Sequence, residues 1–535
     1  MGIPSYYKKL IDTIPGLVSK GYPESTISWL FMDFNCLIYH CLHREDTPPY
    51  PGETERDAWE GQFLDCIEQY CLKVIKEVKP TKGVFIAVDG VVPMAKMRQQ
   101  RFRRFKSSWL SQHSQKENQP SSPTWDRNAI TPGTAFMNKL ERKLQSMISK
   151  HGKKTWKLSS SNEPGEGEHK IIHQWRKGSY KGNFAVYGLD ADLIVLSILG
   201  RESESLSNQI WLFREELQAG KIMYDSMGEE EFEWFSIHAL REWLSLEFTN
   251  DPTQHRQFIL NYCFAMSVLG NDFLPSSLGM KIREDGHSEL LDILKHMAMN
   301  NIHLIQQDTL EISFDGILSL FETLHQTEEA RFTKYVTKKM SMAYHHVSSI
   351  TEEPTIDEHH LPLFHVEEQV LVESKRLVPN WEQVYLTHFF PGFQNDQMDR
   401  EQICKEYLYG IQWIWAYYCG NTQNVCFNWY YPFSLPPLWK WIHHYIIQHK
   451  LPVFPGTVWI QANDIRPAEQ LALVLPLSSW SLLPSGPEKR LPYLAPHLFP
   501  ESFTFDSVGK RFFWECESMI PLPSIRTIKE ILQES

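Results

Sequence analysis

No run of about 18 apolar residues occurs anywhere in the chain, which excludes a membrane-spanning helix. The N-terminus has no charged-then-apolar stretch of the kind that directs secretion. It opens Met1-Gly2, but the sixth residue is Tyr6 rather than Ser or Thr, so the myristoylation pattern fails. There is no CxxC pair, and the nine cysteines are scattered and odd in number. That argues against a zinc site or a disulfide frame and for reduced, buried thiols in an intracellular protein, with the cytoplasm the expected compartment and the nucleus the alternative. Internal repeats and low-complexity tracts are absent. Positive charge is also in short supply: the net charge is −12, which at first sight argues against a polyanionic partner. A carboxylate cluster built to hold metal would contribute to that figure, and local fields matter more than the sum.

The chain's 535 residues exceed one ordinary core, so two or more domains are expected. The informative stretch is Tyr187-Gly188-Leu189-Asp190-Ala191-Asp192. It follows a short apolar strand, Asn183 to Tyr187, so Asp190 and Asp192 fall at a strand's C-terminal end, where open α/β sheets bind ligands. Taken alone, Asp192 reads equally well as a cap for the helix beginning near Leu193. The same pattern recurs elsewhere. Ile27 to Asp33 is a buried strand ending in an acid, with Asn35 and a helix start behind it, and Gly83 to Gly90 is a strand ending at Asp89. Between them Ala58 to Val78 is an amphipathic helix, with Trp59, Phe63, Ile67, Cys71, Ile75 and Val78 on one face, which predicts a parallel pair with a crossover. Glu166 and Glu168 sit in a Gly-rich turn into a helix, where acids are also common dipole partners. Phe258 to Leu269 is apolar nearly all round and predicts a buried helix, ended by Gly270 and followed by Asp272. A charge there is costly without a counter-ion.

Pro93 to Lys106 carries six basic residues and no acid. Such runs are most often solvated helix faces; following the Asp89 strand, this one could instead face the same crevice. Ser107 to Pro123 is polar and breaker-rich and predicts a loop or a partly ordered excursion. Glu352 to Glu373 is acidic and weakly periodic, a surface loop or a short insert; His359, His360 and His365 there could ligate metal, but solvated loop histidines are far commoner. Asp315 to Leu324, Arg331 to Tyr344, Ile403 to Tyr418 and Leu438 to His449 are predicted helices, and the Pro-rich, aromatic tail from Leu451 is a wrapping segment.

Asp33, Asp89, Glu166, Glu168, Asp190, Asp192 and Asp272 cannot converge in ionised form without cations. Two Mg²⁺ ions, with Mn²⁺ as a substitute, would resolve this, since hard divalent cations prefer oxygen ligands. Such a pair also suits attack of water on a phosphodiester. The adjacent basic stretch would hold a phosphate.

These residues resemble the XRN family of 5′→3′ exoribonucleases. The resemblance runs from Met1-Gly2-Ile3-Pro4 through Met32-Asp33-Phe34-Asn35, Val88-Asp89-Gly90, and Ala95 to Arg101 with Arg103-Arg104-Phe105. It continues through Ile130 to Thr134, Pro164 to Lys170, Gly188 to Asp192, Gly270 to Pro275 and Gly410 to Trp413. Trp429 to Pro432, Pro467 to Leu471 and Gly509-Lys510-Arg511 close it. It covers the two conserved N-terminal regions and none of the long C-terminal extensions. It implies an α/β fold: a PIN/FEN-like mixed sheet flanked by helices over 1–230, joined to a largely helical second region over 231–535. The family's metal-binding acids fall on the seven named above, and its 5′-monophosphate pocket on Lys96, Gln100, Arg103 and Arg104. It stacks bases between two rings. The second falls on Trp429, with Phe427 as neighbour; the first, a histidine in the family, falls on Tyr39, with His40 beside it. The implied function is Mg²⁺-dependent, processive 5′→3′ hydrolysis of single-stranded RNA bearing a 5′-monophosphate, with no membrane partner. Two rivals remain. A flap-endonuclease-like DNA enzyme predicts a helix–hairpin–helix clamp with Gly-rich hairpins, which is not found in the aromatic second half. An inactive RNA-binding scaffold predicts loss of at least one acid, and all seven are present.

Overall fold

Ile27–Asp33 is buried along almost its whole length, as an apolar strand covered on both faces must be. It lies near the middle of a seven-stranded sheet. The strand order is Val18–Ser19, Phe232–Ser236, Ile210–Glu215, Asn183–Tyr187, Ile27–Asp33, Gly83–Ala87, Lys157–Ser159. The last five run parallel, and the first two add an antiparallel edge. This computed structural model describes residues 3, 5–113, 123–178, 180–188, 190–204, 208–218, 221–349, 363, 366–394, 397–421, 425–453 and 460–533. Met1, Gly2 and Pro4 of the opening motif, Leu189, and the loop histidines His359, His360 and His365 lie outside them.

Register sets up everything that follows. Asp33 stands opposite Ala87, and Met32 opposite Tyr187, so three strands end at one level and their next residues emerge at one edge. Arg56–Val78 makes the crossover between the Ile27–Asp33 and Gly83–Ala87 strands, and all six residues of its predicted apolar face are buried. After the sheet the chain is largely helical. Helices include Ile237–Phe248, His255–Ala265, Gly286–Met299, Phe314–Gln326, Glu328–Ser349, Trp381–Phe389, Gln397–Tyr418 and Trp439–His449. The buried His255–Ala265 helix tightens into a 3₁₀ turn, Met266–Leu269, and stops at Gly270, whose φ of 86° disfavours any side chain.

Three sequence expectations need revision. Ser107 begins no loop: the basic helix runs Met94–His113. Its last turns are held from outside, by Trp109 edge-on to Phe505 at 5.1 Å and by Ser108 Oγ 2.8 Å from Ser478 Oγ. The described part of the acidic 352–373 segment is not a solvated loop. Glu367–Leu371 is a 3₁₀ turn, and Glu368 is fully buried, paired with Lys339 at 2.8 Å. The basic run is neither a solvated face nor wholly a crevice wall. Arg101 is fully buried and donates to the carbonyls of Pro521, Leu473 and Leu498, while Lys106 donates to those of Phe513 and Cys516. The C-terminal tail therefore wraps this helix, with two cations sealing the contact through backbone oxygens.

Candidate active site at the sheet's C-terminal edge

Each candidate acid is delivered by a different local device. Asp33 ends its strand and precedes the helix Phe34–Leu42. Asp89 lies two residues past its strand; its backbone N–H donates to Asn35 Oδ1 at 3.1 Å, and its Oδ1 accepts from the Gly167 N–H at 2.7 Å. That second bond brings the Glu166–Glu168 turn against the sheet. It also explains Gly167: a Cβ there would stand 2.3 Å from Asp33 Oδ1. Lys170 secures the same turn, with Nζ donating to the carbonyls of Val88 at 2.7 Å and Ser160 at 2.8 Å. Asp192 is the first residue of the helix Asp192–Ser203, and the capping position before it is held by Ala191. Asp272 arrives from the second half, just beyond Gly270.

Lys96 joins the two halves. Its ammonium lies 2.6 Å from Glu166 and 2.7 Å from Asp272. Gln99, one turn on, donates to the other Asp272 oxygen at 2.7 Å. Burial works against the Lys96 charge, yet Asp272 and Glu166 hold its pKa well above the usual lysine value. Burial likewise works against the Asp272 charge, and Lys96 brings its carboxyl below the ordinary range.

For five of the other acids burial wins. Burial, with Asp89, Asp190 and Asp192 nearby, pushes Asp33 well up. Burial, then Asp192 and Glu166, does the same to Glu168, and burial with Asp190 raises Asp192 to about 7. Asp89 and Glu166 are also raised by burial, offset by the Gly167 N–H for the first and Lys96 for the second. Glu168 Oε2 and Asp192 Oδ1 are buried with no hydrogen-bond partner among the described residues. Donor atoms of Glu166, Glu168 and His169 lie within 4.8 Å of one another. Crowded carboxylates with unpartnered oxygens fit a hard divalent cation.

The remaining candidates are distributed differently. Gln100 Oε1 is 3.4 Å from Gln470 Nε2. Arg103 is exposed and lines an adjoining cavity with Gln99 and Asp272. Arg104 is buried on the side of Tyr39; burial lowers its pKa to about 10, and its Nη1 has no partner among the described residues. Tyr39 is half-buried. His40 is turned away into the core, 3.1 Å from Glu230 and against the Tyr70 ring. Trp429 is 7% exposed and packs on Trp413 at 5.3 Å, while Phe427 lies edge-on to Tyr417 at 6.5 Å.

Sequence reasoning missed Tyr417. Its hydroxyl donates to Glu166 Oε1 at 3.0 Å, and its ring stacks on His169 with centroids 3.8 Å apart. Tyr418 is buried beside Asp192 and Glu168. Both end the long aromatic helix Gln397–Tyr418, and nothing local in the sequence marks them.

Parallel strands that end together at one acid-lined edge define an α/β architecture, and such edges are where α/β sheets bind ligands. Comparison with known proteins makes the class specific. Residues 1–216 match the XRN 5′-3′ exonuclease N-terminus, and the whole chain is similar to 5′-3′ exoribonucleases 1 and 2. It is 27% identical to human 5′-3′ exoribonuclease 1 over its whole length, which spans 34% of that protein. It is 24% identical to chicken 5′-3′ exoribonuclease 2, again over the whole chain and 70% of the relative. The yeast Saccharomyces cerevisiae 5′-3′ exoribonuclease 2 is 31% identical over 55% of this chain and 35% of its own length. Among the described residues, no helix is long and apolar enough to cross a membrane.

Proposed function

We propose that this chain is a Mg²⁺-dependent, processive 5′→3′ exoribonuclease. It acts on single-stranded RNA with a 5′-monophosphate, releases nucleoside 5′-monophosphates, and serves RNA decay in the cytoplasm. The observation that carries the reading is the gathering of acids from both halves of the chain around Lys96, with the buried Glu168 Oε2 and Asp192 Oδ1 lacking partners among the described residues. Asp33, Asp89, Glu166, Glu168, Asp190, Asp192 and Asp272 would hold two Mg²⁺ ions. Bound there, the ions supply a lowered water pKa and charge neutralisation at the phosphodiester. Tyr417 holds Glu166 in place, and Asn35 with the Gly167 N–H holds Asp89. Lys96, Gln100, Arg103 and Arg104 would take the 5′-phosphate, arginine through paired N–H donors.

The test is purified protein with labelled RNA bearing either a 5′-monophosphate or a 5′-triphosphate, with and without Mg²⁺. Only monophosphate RNA with Mg²⁺ should be degraded at full rate. Arg103→Ala should lower the preference for that end about ten-fold, more than Lys96→Arg does. Equal rates on the two ends would remove the pocket assignment.

Stepping needs aromatic faces, which hold bases without regard to sequence at about 1–3 kcal/mol each. Tyr39 and Trp429 are the rings assigned to it. Tyr39→Ala should convert complete digestion into a ladder of intermediates under single-hit conditions, while Tyr39→His stays processive. The burial of His40 against Glu230 argues against its taking that role. A processive Tyr39→Ala protein beside a distributive Phe427→Ala protein would move the stack to the ring nearer Tyr417.

A further inference from the structure

A cavity of about 520 Å³ opens beside Asp272, between the outer face of the basic helix, the helix Glu328–Ser349 and the C-terminal tail. Its wall carries nine Lys or Arg residues against four Asp or Glu, in a chain of net charge −12. We propose that this cavity binds a nucleoside 5′-monophosphate, the released product, after it leaves the acid cluster; the inference rests on the exonuclease reading above.

Three lysines set the chemistry. Lys281 Nζ donates to the Gly509 carbonyl and lies 3.4 Å from the Tyr335 hydroxyl. Lys106 donates only to carbonyls of the tail among the described residues. Lys510 sits near enough to both to disfavour their charges, and burial, the larger effect, lowers Lys281 to about 7 and Lys106 to about 8. The carboxylates within reach are already engaged. Glu368 pairs with Lys339 at 2.8 Å and accepts from the Gly509 N–H at 2.6 Å. Glu515 pairs with Arg283 at 3.0 Å and accepts from the backbone N–H groups of Arg511 and Phe512. Glu517 pairs with Arg98 at 3.0 Å. The buried Arg511 Nε has no partner among the described residues. A concave site holding crowded lysines whose neighbouring acids are spoken for calls for an added anion, and a dianionic phosphate supplies the charge they lack.

Size and lining narrow the anion. The volume falls within the range of about 300–1,000 Å³ typical of small-molecule sites. Phe433 and Tyr335 are among the lining residues, so a base would meet aromatic side chains there, with the Lys281 ammonium over the Tyr335 ring at 4.9 Å. Asp272 and Gln99 belong both to this wall and to the acid cluster, so the cavity adjoins the acids from which a released mononucleotide would come.

The experiment measures binding of a fluorescent AMP derivative in EDTA, which prevents capture by metal at the acids, with competition by AMP, adenosine and inorganic phosphate. AMP should compete well and adenosine poorly. Lys510→Glu and Lys281→Gln should each weaken binding about ten-fold or more, with single-turnover RNA cleavage unchanged and inhibition by AMP relieved in steady state. Circular dichroism and melting of Lys510→Glu establish that it is folded. Unchanged AMP affinity in both folded variants would overturn the proposal. So would a loss of RNA 10-mer binding and single-turnover cleavage equal to the loss of AMP binding, since the cavity would then be a strand path. If the wild-type protein cleaves no RNA yet binds AMP through Lys510, the exonuclease reading fails and the nucleotide site stands.

Discussion

Asp192→Asn should reduce RNA hydrolysis by about 10³-fold or more and at the same time make the protein more stable in EDTA at pH 8. Both outcomes come from one fact. Asp192 is buried, its Oδ1 has no partner among the described residues, and Asp190 and Asp272 disfavour its charge. Its folded pKa of about 7 lies above the ordinary value of 3.8 that it regains on unfolding. The folded state therefore binds the extra proton, and the associated stability is complete below pH 3.8 and drains away as pH rises through about 7. Asparagine is nearly isosteric and carries no charge, so the variant escapes that loss. Its advantage over wild type in melting temperature should be small at pH 5 and grow towards pH 8. Adding Mg²⁺ should erase the difference or reverse it, because the ion stabilises only the protein that can hold it. Near-normal hydrolysis by folded Asp192→Asn would sink the metal assignment. A lower melting temperature at pH 8 in EDTA would show that the Asp192 charge is already compensated.

The strands were legible because each is a short apolar run ended by polar chemistry. Ile27–Asp33 and Asn183–Tyr187 have the bounds read from the residues alone. A carboxylate at the end of such a run has few places to go, so the positions of Asp33, Asp89, Asp190 and Asp192 on one sheet edge were also legible. What each charged group faces was not. The six cations of the basic helix look alike in sequence. Yet Lys96 turns to Glu166 and Asp272, Arg101 and Lys106 enter carbonyl sockets in a tail some hundreds of residues away, and Arg104 turns towards Tyr39. Tyr417 meets Glu166 across 251 residues. His40 finds Glu230 rather than the acids beside its own helix start. Periodicity encodes which face is buried but not which distant partner covers it, and that partner decides whether a buried polar group is structural or chemical.

Lys96→Met should move stability the other way from Asp192→Asn. The Lys96 side chain is 16% exposed and is the cation that contacts both Glu166 and Asp272, whose side chains are 6% and 5% exposed. Methionine fills a similar volume with no charge, leaving two buried carboxylates facing each other. Breaking a buried pair by removing one partner costs about 3–5 kcal/mol, and here one ammonium serves two acids. In EDTA at pH 8 the variant should melt well below wild type. Lowering the pH should recover part of the loss, because protonating the stranded acids removes the uncompensated charge. Mg²⁺ should also recover part of it, since a divalent cation at the cluster replaces the missing positive charge. Lys96→Arg, which keeps the charge but lengthens and flattens its carrier, should lose less stability than Lys96→Met. The comparison separates two roles of one residue. If Mg²⁺ restores the melting temperature of Lys96→Met while preference for a 5′-monophosphate stays low, Lys96 contacts the phosphate in addition to bracing the acids. If the preference returns with stability, its contribution to the 5′ end is only through the fold. A Lys96→Met protein as stable as wild type in EDTA at pH 8 would mean that Glu166 and Asp272 are already protonated there, and that the bridge between the two halves carries no energy.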